Sequence, residues 1–422
     1  MVQLPEDNTL RKLYGNQTIK TQKKRYQELI LLFQKKFPGL EKTLFFSTPG
    51  RIEIGGNHTD HNRGKILAGA VNLDSIAAVS KNNSNKIIFY SEEFKKPFQV
   101  DLNQLEKKKS EEGSTTSLIR GIAYKLKKSG YSLGGFNGYM TSNVMIGSGL
   151  SSSASVEVLI GTIFNTLFNQ NKIPPLEIAM IGQYAEKNYF NKPCGLMDQV
   201  TCSVGGIITI DFKNPQKPKM KKIDYDFNSC GYSVLIVNTR GSHANLTDDY
   251  AAVQSEMKKV ARKLGGQVLR DISQKDLLKN LPRIRSQTGD RSLLRALHFL
   301  QENQRVTAEV EALGKNDFTR FLDLVTESGN SSFKFLQNCY STKNLNHQSI
   351  PLALALTEIF IKNTGGKGAC RVHGGGFAGT IQVFLPHKQV KAYQQFLSPF
   401  LGKDAIWELQ IRSMGSSCLS SK

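Results

Sequence analysis

Apolar and polar positions follow two different spacings along the chain. From residue 26 to 37, Leu29, Ile30, Leu32 and Phe33 recur at helical spacing with lysines on the opposite side, which predicts an amphipathic helix. Leu44-Phe45-Phe46 reads as a strand entering a turn at Pro49-Gly50, and a second apolar stretch runs over 66–79. The charged, weakly periodic segment 95–113 reads as surface loop with a short helix. Over 144–168 the pattern switches from Gly/Ser-rich to an apolar helix, with Val156, Leu159, Ile160, Ile163, Phe164 and Leu167 on one face. Another helix follows at 176–189, behind Pro174-Pro175, and strands are expected at 206–210 and 233–237. Helices at 248–264, 293–312 and 352–363 precede a closing strand, 380–385, and helix, 390–400. The class is α+β, and the lack of regular strand–helix alternation argues against a dinucleotide-binding sheet. At 422 residues two lobes are expected, divided near Gly205 into 1–205 and 206–422.

Composition narrows the function classes. No apolar run is long enough to cross a membrane, and the opening segment MVQLPEDNTLRKLYG lacks a secretory core, so the cytosol is the expected compartment. Six cysteines, at 194, 202, 230, 339, 370 and 418, form no CxxC pair and no Cys/His ligand spacing. The formal net charge of +21 would attract polyanions. The basic residues are nevertheless dispersed as pairs such as Lys23-Lys24 and Lys221-Lys222, without a nucleic-acid motif, so a solvated lysine-rich surface is the better account.

Chemistry concentrates in Gly147-Ser148-Gly149-Leu150-Ser151-Ser152-Ser153-Ala154. Glycines allow close backbone approach, and three serines then open an apolar helix whose unpaired N–H groups and positive dipole end suit a phosphate. A flexible loop with a serine cap would look the same. The run is neither a P-loop, since no GK[ST] closes it, nor a GxGxxG turn after a strand.

That segment resembles the second motif of the GHMP kinases in the form typical of galactokinases. Two companions stand in the same order. Pro49-Gly50-Arg51-Ile52-Glu53-Ile54-Gly55-Gly56-Asn57-His58-Thr59-Asp60-His61-Asn62 resembles the galactokinase signature, and His373-Gly374-Gly375-Gly376-Phe377-Ala378-Gly379 resembles the third, glycine-rich motif. The resemblance spans most of the chain. It implies a GHMP kinase fold of two lobes with the active site between them, ATP and Mg²⁺ as cofactors, and phosphorylation of the anomeric hydroxyl of galactose.

Residue by residue, the resemblance implies that Asp198, in Pro193-Cys194-Gly195-Leu196-Met197-Asp198-Gln199, is the catalytic base and that Arg51 lies between it and the transferring phosphoryl group. It places Asp60, His58, Asn57, Gly195 and Tyr250 on the sugar, and Glu186 with Ser153 on Mg²⁺. The first motif departs from the family pattern: Asn57 stands where the usual glutamate binds the sugar's C6 hydroxyl, Glu53 replaces the usual asparagine, Gly55 an aliphatic residue and His61 a tyrosine. Taken alone, His58-Thr59-Asp60-His61 would also suggest metal ligands, but no second ligand cluster accompanies it. A related sugar-1-kinase acting on N-acetylgalactosamine or L-arabinose, and a non-catalytic sugar sensor, are the competing readings. Retention of Ser153, Ala154, Arg51 and Asp198 favours a catalyst, and a monomer is the expected state.

Overall fold

The protein is described by a computed structural model covering residues 3–40, 42–144, 149–242 and 246–420. Two helices, α1 (Asp7–Tyr14) and α2 (Ile19–Lys36), precede strands β1 (Leu44–Gly55), β2 (Lys65–Lys81), β3 (Lys86–Ser91), β4 (Phe98–Asp101) and β5 (Phe136–Ser142). Helix α3 (Thr115–Lys128) lies between β4 and β5, and α4 (Ser152–Phe168), α5 (Pro175–Ala185) and α6 (Met197–Val204) follow them. Strands β6 (Ile207–Asp211), β7 (Lys219–Ile223) and β8 (Tyr232–Asn238) lead to a helical run, α7 (Thr247–Lys263), α8 (Gln274–Lys279), α9 (Leu281–Thr288), α10 (Asp290–Gly314), α11 (Phe318–Ser331) and α12 (Ser349–Asn363). The chain closes with β9 (Ala369–His373), β10 (Thr380–Pro386), α13 (His387–Leu401), β11 (Ile406–Leu409) and β12 (Ser417–Cys418).

The strands make two sheets. The larger has the order β12-β1-β2-β5-β3-β4, with β6 and β7 continuing from β2; the smaller has the order β11-β8-β10-β9. Helix α4 is the central packing element of the first sheet. Its predicted face is buried at Leu159, Ile160, Ile163, Phe164 and Leu167, and Glu157 and Val158 on its flank are buried too. A second core joins Ile52, Leu67 and Val71 of the larger sheet to Val234, Ile236 and Phe384 of the smaller one, with Val306 and Phe321 between them. Such continuous apolar contact couples the sheets instead of leaving a hinge of polar linker.

Several expectations need correction. Pro49-Gly50 is not a turn: β1 runs through it with a register shift between Pro49 and Arg51. Proline gives no ladder N–H, and a bulge is where a strand accommodates that loss while re-aiming the next side chain, here Arg51. The segment 95–113 holds the short strand β4 besides its loop and single turn of helix. The larger sheet also does not stop at residue 205, because β6 pairs with β2 and β7 with β6, while β12 returns from the far end of the chain to pair with β1. That return is anchored by Arg412, fully buried, which donates to Asp74 on β2 at 3.0 Å and to Ser47 on β1 at 2.6 Å.

Candidate active site

Backbone geometry makes the cradle. Gly149 (φ +74°) and Ser151 (φ +62°) both adopt left-handed conformations immediately before α4, and a Cβ on Gly149 would lie 3.0 Å from the His373 ring. The amide of Arg51 donates to the carbonyl of Leu150 at 3.1 Å, tying the bulge of β1 to this loop. Ser151 does not cap the helix with its side chain. Its hydroxyl donates instead to Asp198, so the first amides of α4 face the cleft without a side-chain competitor from Ser151. Gly147 and Ser148, the other predicted cradle residues, lie outside the described residues, whereas Leu150 and Ala154 are buried behind the loop.

Arg51 and Asp198 meet at this helix end. Asp198 sits in the first turn of α6, and Arg51 grips it as a fork, Nε to Oδ1 at 2.8 Å and Nη2 to Oδ2 at 2.7 Å, while Nη1 donates to the Gly149 carbonyl. The guanidinium is 7% exposed and the carboxylate 32%, so the acid is the partner that reaches the cleft. Burial acts to raise the Asp198 pKa, but Arg51 and the Ser151 hydroxyl outweigh it and hold the group below the usual carboxylate range. The acid is therefore ionised at neutral pH.

Two residues after Ser151, in the first turn of α4, Ser153 Oγ donates to Glu186 Oε1 at 3.0 Å. Glu186 opens the π-turn (Glu186–Phe190) that ends α5, and it is buried. A hydroxyl and a carboxylate side by side at the cradle are a hard-oxygen pair of the kind that holds Mg²⁺ when phosphates and water complete its octahedron. Among the described residues no three His, Cys, Asp or Glu side chains cluster as a complete protein-only metal site. Sequence reasoning missed the supporting residues: Lys192 donates to Glu186 Oε1 at 3.0 Å, and the Gln199 amide bridges Glu186 (2.8 Å) and Glu157 (2.9 Å). Glu157 is four residues after Ser153, on an otherwise apolar helix, and that misplaced charge was the available signal.

The other first-motif residues cluster near Asp198, against Gly195 and the glycine turn after β9. Asp60 is half-buried, and a Cβ on Gly195 would fall 1.4 Å from its Oδ2, so only glycine lets the two loops meet. Burial and the nearby Asp198 carboxylate push the Asp60 pKa up to about 6. His58, at φ +57°, is half-buried with Nε2 2.9 Å from the Gly375 carbonyl and Nδ1 3.3 Å from His61. Burial lowers the pKa of both rings. Tyr250 donates to the Gly376 carbonyl at 2.9 Å and stands edge-on to Phe377, and its ring occupies the space a side chain on Gly375 would need. The glycine run thus packs against both the sugar end and the cradle, with His373 joining β9 to the Glu53 amide at 3.2 Å.

Asn57, expected on the sugar, has partners within the protein. It is fully buried, and its amide is spent on Glu53, Gly374 and Asn338.

Arg51, Asp198, Gly149, Ser151, Ser152, Ser153 and Lys192 line one cleft of about 600 Å³, whose far wall is apolar, with Phe94, Phe98, Leu118 and Met140. Phe94 and Phe98 meet edge-on, ring centroids 5.2 Å apart, where the stretch read as charged loop begins. The model for "GHMP kinases N terminal domain" matches residues 117–206, and that for "Galactokinase galactose-binding signature" matches 31–81. A galactokinase from Actinobacillus pleuropneumoniae is 30% identical over 358 residues, covering 83% of this chain and 87% of the relative. The chain belongs to the galactokinase family. A second family member, from Lactococcus lactis subsp. lactis, is 28% identical over 86% of this chain and 88% of its own length. The crystal structure of Lactococcus lactis galactokinase complexed with galactose superimposes with a TM-score of 0.80, at 23% identity over 93% of this chain and 99% of that one. The Methanococcus jannaschii mevalonate kinase follows at 0.61, with 18% identity over 88% and 99%. These likenesses establish the GHMP kinase fold, and membership of the galactokinase family makes the chain a phosphotransferase acting on a sugar hydroxyl. No helix among the described residues is long and apolar enough to cross a membrane.

Proposed function

We propose that this chain transfers the γ-phosphoryl group of ATP to the C1 hydroxyl of galactose, giving galactose 1-phosphate and ADP. The observation that carries the reading is the Arg51–Asp198 fork placed at the serine-opened end of α4. The triphosphate would lie along the α4 amides, with the adenine against Phe94, Phe98 and Met140. Asp198 accepts the C1 hydroxyl proton as that oxygen bonds to the γ-phosphorus and the bridge to the β-phosphate breaks. Arg51 keeps the carboxylate ionised and faces the transferring charge, so most of the acceleration comes from position and electrostatics. Ser153 and Glu186 would hold Mg²⁺, which when bound neutralises phosphate charge. Asp60 would accept from a ring hydroxyl and Tyr250 would flank it. All six cysteines are free thiols, which suits the reducing cytosol, where we expect the protein to act as a monomer.

The test is ADP release over a panel of sugars with the wild type and Asp198→Ala. Galactose should be turned over, and the variant should lose roughly 10²–10⁴-fold in kcat while keeping its circular dichroism and Tm. Turnover of L-arabinose or N-acetylgalactosamine with none on galactose would reject the substrate. Full activity in the variant would reject the base.

A further inference from the structure

The side chain of Asn57 has no hydrogen-bonding capacity left for a ligand. Its Nδ2 donates both protons, to Glu53 Oε1 at 2.7 Å and to the Gly374 carbonyl at 2.7 Å. Its Oδ1 accepts from Asn338 Nδ2 at 2.8 Å and from Ser332 Oγ at 3.5 Å, and an amide oxygen offers two lone pairs. Its backbone carbonyl meets His298 Nε2 at 2.9 Å, and its N–H points to Glu302 Oε1 at 3.4 Å. The side chain has no exposed surface.

The side-chain partners come from β1, from the glycine turn after β9 and from the segment after α11, and the backbone partners from α10. Glu53 is itself held by Arg371, fully buried on β9, whose Nη2 donates at 2.8 Å while Nη1 donates to the Ile54 carbonyl at 2.9 Å. The departures from the family pattern at 53 and 57 therefore belong together. The pair still contains one carboxylate and one amide, in contact, with their positions exchanged.

We infer that Asn57 is not a sugar ligand but the bolt that fastens the sugar-signature loop to the glycine turn at 374–376, with Glu53 and Arg371 as the positioning residues that hold it. The inference rests on the proposed galactose reaction and adds that no group at position 57 reads the C6 hydroxyl. His58 depends on this fastening, because its Nε2 meets the Gly375 carbonyl of the same glycine turn at 2.9 Å.

A cycle between residue and substrate group tests it. Wild type and Asn57→Ala are assayed by ADP release on galactose and on 6-deoxygalactose, which differ only in the C6 hydroxyl. A loosened loop should lower kcat/KM for both sugars by one common factor, on the order of tenfold or more, agreeing within about twofold between them. The loss should fall on the sugar KM and leave the ATP KM unmoved, whereas a purely structural residue would reduce the folded fraction without moving either KM. Asn338→Ala, which removes one clamp and leaves the loop sequence intact, should show the same parallel loss and keeps the test open if Asn57→Ala does not fold. A loss at least about tenfold greater on galactose than on 6-deoxygalactose would mean that Asn57 touches the hydroxyl, and would overturn the inference. Unchanged sugar KM in both variants would overturn it as well. Wild-type protein that phosphorylates neither sugar would remove the proposed function and this inference with it, whereas galactose turnover with unequal losses removes the inference alone.

Discussion

Strand β1 contributes to two arginine–carboxylate pairs only two residues apart, and they have opposite characters. Arg51 grips Asp198, whose carboxylate is 32% exposed; Glu53 is gripped by Arg371, and the two side chains are 6% and 0% exposed. Burial is the largest influence on both acids and acts to raise both pKa values. At Asp198 the doubly bonded guanidinium and the Ser151 hydroxyl reverse it, and the pKa falls. At Glu53 burial wins over Arg371 and the Asn57 amide, and the pKa rises. The same two functional groups thus make a readily ionised carboxylate facing the cleft in one case and a reluctant charge inside the fold in the other. What separates them is how much water remains and how many donors converge, which motif letters do not record.

Breaking the outer pair should have the largest effect. Arg51→Lys keeps a positive charge but loses the fork, so kcat should fall roughly 10²–10³-fold with little change in Tm, measured by ADP release and thermal melting. Breaking the inner pair should reverse that ranking. Arg371→Met leaves Glu53 buried without its counter-charge and should cost about 3–5 kcal/mol of stability, read from urea denaturation. A stable Arg371→Met protein would show that the two pairs are not different in kind.

Acid sharpens the comparison further. Asp198 stays ionised well below neutrality, so an acid limb in kcat/KM should come from Asp60, ionised only above about 6. Activity should fall as pH drops through that value, by about tenfold per unit, and Asp60→Asn should flatten the limb in whatever activity remains. The stability sign is opposite. A carboxyl with a raised folded pKa contributes stability below its ordinary value of 3.8 and loses it as pH rises through about 6. Asp60→Asn should therefore raise Tm at pH 7 and not at pH 3.5. The smallest effect is expected at the cradle's outer edge: Ser153→Ala removes one of the two hard-oxygen groups proposed for Mg²⁺, and the Mg²⁺ concentration for half-maximal rate should rise several-fold, roughly the cost of one hydrogen-bond-strength contact.

The loop proposed to hold phosphate was legible as the opening of α4 because it is built locally: Gly149, Ser151 and Ser153 lie within five residues, and the change from glycine and serine to an apolar helix marks where α4 begins. Helices α4, α7 and α10 were legible for the same reason, since periodicity is a local property. The inner pair was not. Glu53 and Arg371 are 318 residues apart, and Asn338 reaches Asn57 across 281. Strand β4 was hidden because four residues in a lysine-rich segment carry too little alternation, yet it ends the sheet that places Phe98 on the cleft wall. Pro49-Gly50 misled in the other direction, a turn dipeptide absorbed as a bulge because the strand's next residue must face Asp198. Asn57 was assigned to the substrate on its place in a motif, and only the inventory of its partners shows the amide consumed within the protein.

The tail that pairs β12 with β1 has a consequence for how the molecule is made. Asp74 is fully buried and draws on Arg25 at 2.6 Å and, 338 residues further on, Arg412 at 3.0 Å. During synthesis the strands β1 and β2 emerge long before Arg412 exists. Until then the early half of the protein must either keep Asp74 wet or bury it with half its counter-charge missing. Sealing of the first sheet is thus deferred until residue 412 has been translated, which leaves a nascent chain of considerable length for a chaperone to guard.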